Sequence, residues 1–164
     1  MPVYPDDPPV ILRPLHHLES HGWRLQYLGM GSHTGTHVNV PAHLLGNGAN
    51  LSQLPPERFM GQARRLGRPG KPRKNTGLML HGEATAMAAE AIIQAGPAFV
   101  GYPADFELPL ELEKKLLAAG ILVYENLANL ELLPARTNFL FIGLPLNLQQ
   151  GDGSPVRAVA VVEE

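Results

Sequence analysis

The stretch from His33 to His43, reading His-Thr-Gly-Thr-His-Val-Asn-Val-Pro-Ala-His, leaves the chain few choices of conformation. Histidines at 33 and 37 would share a face of a helix. Gly35, Pro41 and the β-branched Thr34, Thr36, Val38 and Val40 all oppose one. The segment reads as a strand. Its side chains then alternate, so His33, Gly35, His37, Asn39, Pro41 and His43 share one face, and Thr34, Thr36, Val38, Val40 and Ala42 the other. The first face can line a cleft while the valines enter a core. Fully extended, His33 and His37 stand about 13 Å apart, and Gly35 is the place for a bend or bulge that brings them together. Imidazole suits zinc, manganese and similar divalent ions. Three histidines of one parity around a Gly and a Pro point to a metal or catalytic site, the plainer reading being a strand that carries surface histidines.

The rest of the composition bounds the setting. A chain of 164 residues, 45% hydrophobic and 17% charged, is expected to form one globular domain over 1–164. It has no cysteine, which excludes disulfides and thiolate chemistry. A formal net charge of −2 implies no general affinity for nucleic acid or membrane. Met1 to Asp7 lack the basic start and apolar run of a signal peptide, and no 18-residue apolar span occurs, so a soluble cytoplasmic protein is expected. The stretch from Ala63 to Asn75 holds six of the 13 basic residues. Its prolines and glycines, and its lack of any aromatic to stack bases, favour a solvated loop over a nucleic-acid surface.

Along the chain, Val10 to Leu15 and Trp23 to Met30 read as strands, with solvated His16, His17 and His21 between them. Gly77 to Leu80 is a short apolar run, and Glu83 to Ala95 keeps helical spacing up to Gly96-Pro97. A strand (98–101), a helix (109–119) and a strand (121–124) follow, a rhythm that favours parallel pairing. The end is β-rich, with Asn138 to Leu146, a Gly-Asp-Gly turn at 151–153, and Val156 to Val162 as a ribbon. These elements suggest a three-layer α/β domain. Glu125 comes directly after the apolar Ile121 to Tyr124, and an inward carboxylate there needs a partner, either a divalent ion or a cation such as Arg157. Arg157 itself follows a tight turn and suits an ion pair or a substrate carboxylate.

The stretch 33–43 resembles the His-x-Gly-Thr-His-x-Asp-x-Pro-x-His signature of the cyclase-like metal-dependent hydrolases, the family of bacterial kynurenine formamidase and isatin hydrolase. The likeness continues through Pro2 to Pro5, Glu125-Asn126-Leu127, Leu144-Pro145-Leu146 and Gly151 to Arg157. It implies the swivelling β/β/α fold with a mixed sheet. Family members carry a further short strand before Pro5 and a longer segment in the region of 63–75, and against them this chain reads as shortened at both places. Residue by residue, His33 and His37 match metal-binding imidazoles, Glu125 a metal-binding carboxylate, and His43 the catalytic histidine. Tyr4 falls where formamidases place an aromatic residue against the substrate.

Two positions depart from the pattern. Asn39 stands where the signature has an Asp bridging two metals, and an amide brings no charge to hold two cations close. Glu113 falls where the family has a His ligand; it can ligate, or lie solvated before Lys114 and Lys115. The expectation is therefore one zinc or manganese ion on His33, His37 and Glu125 with a water, and a weak carbonyl contact from Asn39. A metal-activated water, with His43 as general acid and base, would open a small amide or lactone such as N-formylkynurenine or isatin. Family members form dimers or larger assemblies, so a homo-oligomer is expected. The other class of function is an inactive relative acting as a small-ligand binding or assembly module.

Overall fold

The computed structural model describes residues 3–68 and 72–162. Strands β1 (Ile11–His16) and β2 (Leu25–Gly29) flank the short helix α1 (Leu18–His21) and form a two-stranded antiparallel arm. Then come β3 (His37–Asn39), β4 (Met60–Leu66), β5 (Gly77–Leu80), α2 (Ala89–Ala95), β6 (Phe99–Pro103), α3 (Leu110–Ala118), β7 (Leu122–Leu127), β8 (Phe139–Ile142), β9 (Gly153–Pro155) and β10 (Val159–Val161). Eight strands make one sheet in the order β10-β8-β4-β5-β6-β7-β3-β9. Pairing is parallel from β4 to β7 and antiparallel at β10/β8, β8/β4, β7/β3 and β3/β9. The fold is α/β with a mixed sheet.

Alternation along the central strands assigns each face its core. Val38, Phe99, Leu122 and Tyr124 pack with Met79, Phe139 and Phe141 on one side. Val100, Tyr102 and Val123 pack on the other with Ile92 of α2 and Leu116 and Leu117 of α3. Each fully buried aliphatic or aromatic side chain stabilises the fold by roughly 1.5–3 kcal/mol, so the parity is strongly held. The helices cover the second face only, and there the polar residues of β3 and β7 emerge beside α3.

Several elements differ from the sequence reading. Of the expected strand over 33–43, only His37–Asn39 pairs as a strand, with Val40 still extended beyond it. Thr34 N–H reaches the Gly31 carbonyl at 3.2 Å, Gly35 is left-handed at φ 67°, and Pro41–His43 form a 3₁₀ turn. The helix expected over 83–95 is split by extended backbone at Met87 and Ala88, so a 3₁₀ segment (Gly82–Ala86) and α2 each present apolar residues to the same core. Part of the basic stretch is not loop. Ala63 to Leu66 belong to β4, paired in register with Gly77 to Leu80, with Ala63 fully buried next to Arg64. Pro69, Gly70 and Lys71 of that stretch, and Pro2, lie outside the described residues. Val156 makes only an isolated bridge to Pro145, and the terminal ribbon runs from Val159 to Val161 against Leu140 to Ile142. No helix among the described residues is long and apolar enough to cross a membrane.

Candidate active site

β3 is the middle strand of the site, hydrogen-bonded to β7 on one side and β9 on the other. Because Val38 turns into the first core, His37 and Asn39 point to the opposite face. Register sets His37 beside Glu125, and Asn39 beside Val123 and Gly153. Thus His37 and Glu125 are brought together by strand pairing alone, with His37 Nε2 3.6 Å from Glu125 Oε1. α3 adds Glu113, only 4% exposed although Lys114 and Lys115 follow it, because its helix packs on β7.

Asn39 connects the acidic side of the site to the histidines. Its amide N–H groups donate to Glu113 Oε1 at 2.5 Å and Glu125 Oε1 at 2.7 Å. Carboxylates only accept from an amide, so this orientation turns Asn39 Oδ1 toward His33, whose Nδ1–H donates to it at 2.8 Å. Glu113 pays for this position in acidity: burial first, then the charge of Glu125, raise its pKa from 4.5 to about 7, with the Asn39 amide working the other way.

The bend at Gly35 brings the two leading histidines together, their ring centroids 5.2 Å apart and nearly perpendicular. The Gly35 carbonyl also accepts the His37 Nδ1–H at 2.8 Å. A carbonyl cannot donate, so this contact makes Nδ1 the donor and turns Nε2 the other way. Both His33 and His37 therefore commit Nδ1 to an oxygen acceptor and turn Nε2 toward a carboxylate, Asp152 Oδ2 at 3.0 Å for His33 and Glu125 for His37. Electron-pair donors facing one another in this way call for a proton or a metal cation between them.

His43 enters from the 3₁₀ turn rather than along a strand face. Its ring lies 4.1 Å from that of His33, with Nδ1 3.3 Å from Asp152 Oδ2. Burial first, and then the charge of His33, lower its pKa below 6.5, against an opposing contribution from Asp152. At Asp152, burial acts to raise the carboxyl, but the hydrogen bond and charge of His33 and the contact with His43 outweigh it and hold the pKa at about 2. His33, His43 and Asp152 offer ligand atoms that all lie within 4.8 Å of one another, the one such trio of His, Asp or Glu among the described residues.

Six of the residues expected from sequence, His33, His37, Asn39, His43, Glu113 and Glu125, come together here. Tyr4 is 69% exposed, and its hydrogen bond, from Asp7 N–H to its carbonyl, does not reach the cluster. Arg157 is exposed and forms no salt bridge among the described residues, so Glu125 is not paired with it. Asp152 was read from the sequence only as a turn residue. The available signal was a lone carboxylate between two glycines, and the glycine matters: the His33 ring packs on Gly153, where a Cβ would stand 2.4 Å from its Cε1. A separate cavity of about 470 Å³, lined by residues such as Leu51, Leu54, Phe59 and Leu146, contains no ionisable group and lacks chemistry of this kind.

Residues 1–96, which include all three histidines and Asn39, match the family described as "Putative cyclase". The chain belongs to that family. It is 28% identical over 165 residues to the kynurenine formamidase of Salinibacter ruber, with 80% of this chain and 77% of that protein aligned. Isatin hydrolase A from Ralstonia solanacearum has the same fold, with a TM-score of 0.76 at 18% identity over 94% of this chain and 82% of its own. So has a protein described as a potential metal-dependent hydrolase with cyclase activity, with a TM-score of 0.71 at 20% identity over 98% and 90%. Glu113, Glu125 and Asp152 lie beyond the family match, and the fold alone brings them to its histidines.

Proposed function

We propose that this cyclase-family chain is a metal-dependent hydrolase of non-peptide C–N bonds in small amides, an arylformamide such as N-formylkynurenine or a cyclic amide such as isatin. The observation that carries the reading is the pair of imidazoles, His33 and His37, that each commit Nδ1 to an oxygen and turn Nε2 toward a carboxylate, of Asp152 and Glu125 respectively. Imidazole and carboxylate donors of these kinds suit zinc or manganese, taken here as one ion per chain. His33, His37, Glu125 and Asp152 are its assigned ligands. A divalent ion supplies Lewis-acid polarisation of an amide carbonyl and acidifies water.

The remaining residues divide the other tasks. Asp152 accepts from His43 Nδ1–H and so leaves His43 Nε2 free to take a proton from water and return it to the leaving nitrogen. The lowered pKa of His43 keeps it in the accepting form at neutral pH. Asn39 and Glu113 position Glu125 and His33 rather than ligate. Lactones belong to the same substrate class, and a cytoplasmic homo-oligomer is part of the reading. Metal-loaded protein assayed with N-formylkynurenine and isatin tests it. Hydrolysis of at least one, lost by about 100-fold or more in His43→Ala, is expected; hydrolysis undiminished by His43→Ala would sink the mechanism.

One observation favours a second reading, an inactive module that binds a small ligand or assembles. The Asn39 amide satisfies Glu113 and Glu125 without any ion. Absence of turnover together with absence of metal would select it.

A further inference from the structure

Tyr102 on β6 is fully buried, and its hydroxyl has no hydrogen-bond partner among the described residues. The ring is held by the helix-side core, where it packs with Leu116 and Leu117 of α3 and stacks on Phe106 at a centroid distance of 5.4 Å. Sinking a hydroxyl into apolar surroundings with nothing to bond is unfavourable, and a phenylalanine would fill the same space without that penalty. Tyr124, the other fully buried tyrosine, shows the ordinary solution. Its hydroxyl donates to the Phe59 and Gly143 carbonyls at 3.1 and 3.0 Å.

Strand register shows what the hydroxyl faces. Val100 of β6 pairs with Val123 of β7, both in the helix-side core, and Gly101 pairs with Tyr124. One step further along each strand, Tyr102 and Glu125 return to the helix side. The next pair is Pro103 with Leu127, so β7 carries one extra residue there, and Asn126 takes it up in the left-handed region at φ 56°. Neighbouring strands lie about 4.8 Å apart. Glu125 therefore stands between Tyr102 on one side and His37, its register partner on β3, on the other. Glu113 precedes Leu116 and Leu117 on the same face of α3 and adds a second carboxylate. After burial, the charges of Glu125 and then Glu113 push the phenol pKa up, so the hydroxyl keeps its proton and stays a donor.

We propose that Tyr102 is a positioning residue for the metal site, its hydroxyl donating to Glu125 Oε2 when Glu125 Oε1 takes the ion. Oε1 is already engaged on the β3 side, with the Asn39 amide at 2.7 Å and His37 Nε2 at 3.6 Å. No hydrogen bond reaches Oε2 among the described residues. A carboxylate that ligates a metal is itself held by a hydrogen bond, and Tyr102 is the buried donor on the β6 side of Glu125. The inference rests on the reading of Glu125 as a ligand, and it gives the hydroxyl the partner that it lacks.

Urea unfolding and zinc titration of wild type and Tyr102→Phe test the inference without any assay of hydrolysis. In EDTA the variant should unfold at a higher urea concentration than wild type, because a hydroxyl with no partner has left the core. Its zinc dissociation constant should nevertheless rise about 10- to 100-fold. Zinc should also shift the near-ultraviolet absorption of wild type to longer wavelength, as a tyrosine hydroxyl becomes a donor, and leave that of Tyr102→Phe unchanged. A lower urea midpoint for the variant would show the hydroxyl already bonded within the fold, and equal zinc affinity would show it idle; either result overturns the inference. So would a zinc effect that disappears in the Glu113→Gln background, which would place the bond on Glu113. Wild type that binds no zinc would remove the ligand reading as well, whereas zinc bound equally by both proteins removes this inference alone.

Discussion

Replacing Asn39 by aspartate asks the most of this site. Asn39 is 1% exposed and donates both amide hydrogens to carboxylates, at 2.5 and 2.7 Å. N39D removes both donors and sets a third carboxyl group among Glu113 and Glu125. Each hydrogen bond to a charged group contributes about 1.5–3 kcal/mol, and leaving buried charge uncompensated costs about 3–5 kcal/mol. The metal-free variant should therefore be about 3–5 kcal/mol less stable than wild type at pH 8. For a chain of this size that is a drop in Tm of about 6–20 °C. At pH 5 a proton shared among the carboxyl groups restores a donor, and the deficit should shrink below about 2 kcal/mol. Zinc or manganese should close it as well, with tighter ion binding than wild type. Thermal unfolding by circular dichroism, in EDTA at both pH values and then with each ion, measures all three effects. N39D as stable as wild type in EDTA at pH 8 would refute the assignment of the amide as the group that holds the two glutamates together.

Other consequences are simpler. Folded Glu113 keeps its proton up to about pH 7, the unfolded chain only to about 4.5, so this residue's contribution is full below 4.5 and lost as pH rises through 7. Glu113→Gln should remove on the order of 3 kcal/mol of pH dependence from urea unfolding of the metal-free protein between pH 4.5 and 8; an unchanged slope would contradict the burial argument. Proton NMR of metal-free protein should show His43 titrating below 6.5, and lower still in Asp152→Asn, because Asp152 is a group that raises it; a shift upward would exclude the His43–Asp152 contact. Gly153→Ala places a Cβ 2.4 Å from His33 Cε1 and 2.9 Å from the Val38 carbonyl. It should cost about 1–3 kcal/mol and weaken ion binding at least 10-fold, read by urea unfolding and zinc titration.

Much of this site was legible before the fold. The helix-opposing residues between 34 and 41 excluded a helix, and Gly35 marked the bend that the structure shows at φ 67°. Parity correctly separated His37 and Asn39 from Val38 and Val40. It failed for His43, because Pro41 starts a 3₁₀ turn that ends the alternation and swings the histidine in from the side. The extended break at Met87 and Ala88 was likewise hidden, since helical spacing continues across it. Glu113 looked solvated from its two lysine neighbours, but a helix turns residues one and two apart onto different faces, and packing against β7 buries the glutamate alone. Asp152 was out of reach for a different reason. A residue 109 positions from His43 in sequence becomes its neighbour only through the β3–β9 pairing, which no local pattern announces.

Metal content by elemental analysis, after dialysis against zinc or manganese, tests the central claim most directly when made on wild type, His33→Ala, His37→Ala and His43→Ala. About one ion per chain in wild type and His43→Ala, and none in the other two, is the predicted result. No ion in wild type under either condition would contradict a metal-dependent hydrolase. An ion lost in His43→Ala but kept in His37→Ala would place it on His33, His43 and Asp152, and would remove His43 from proton transfer.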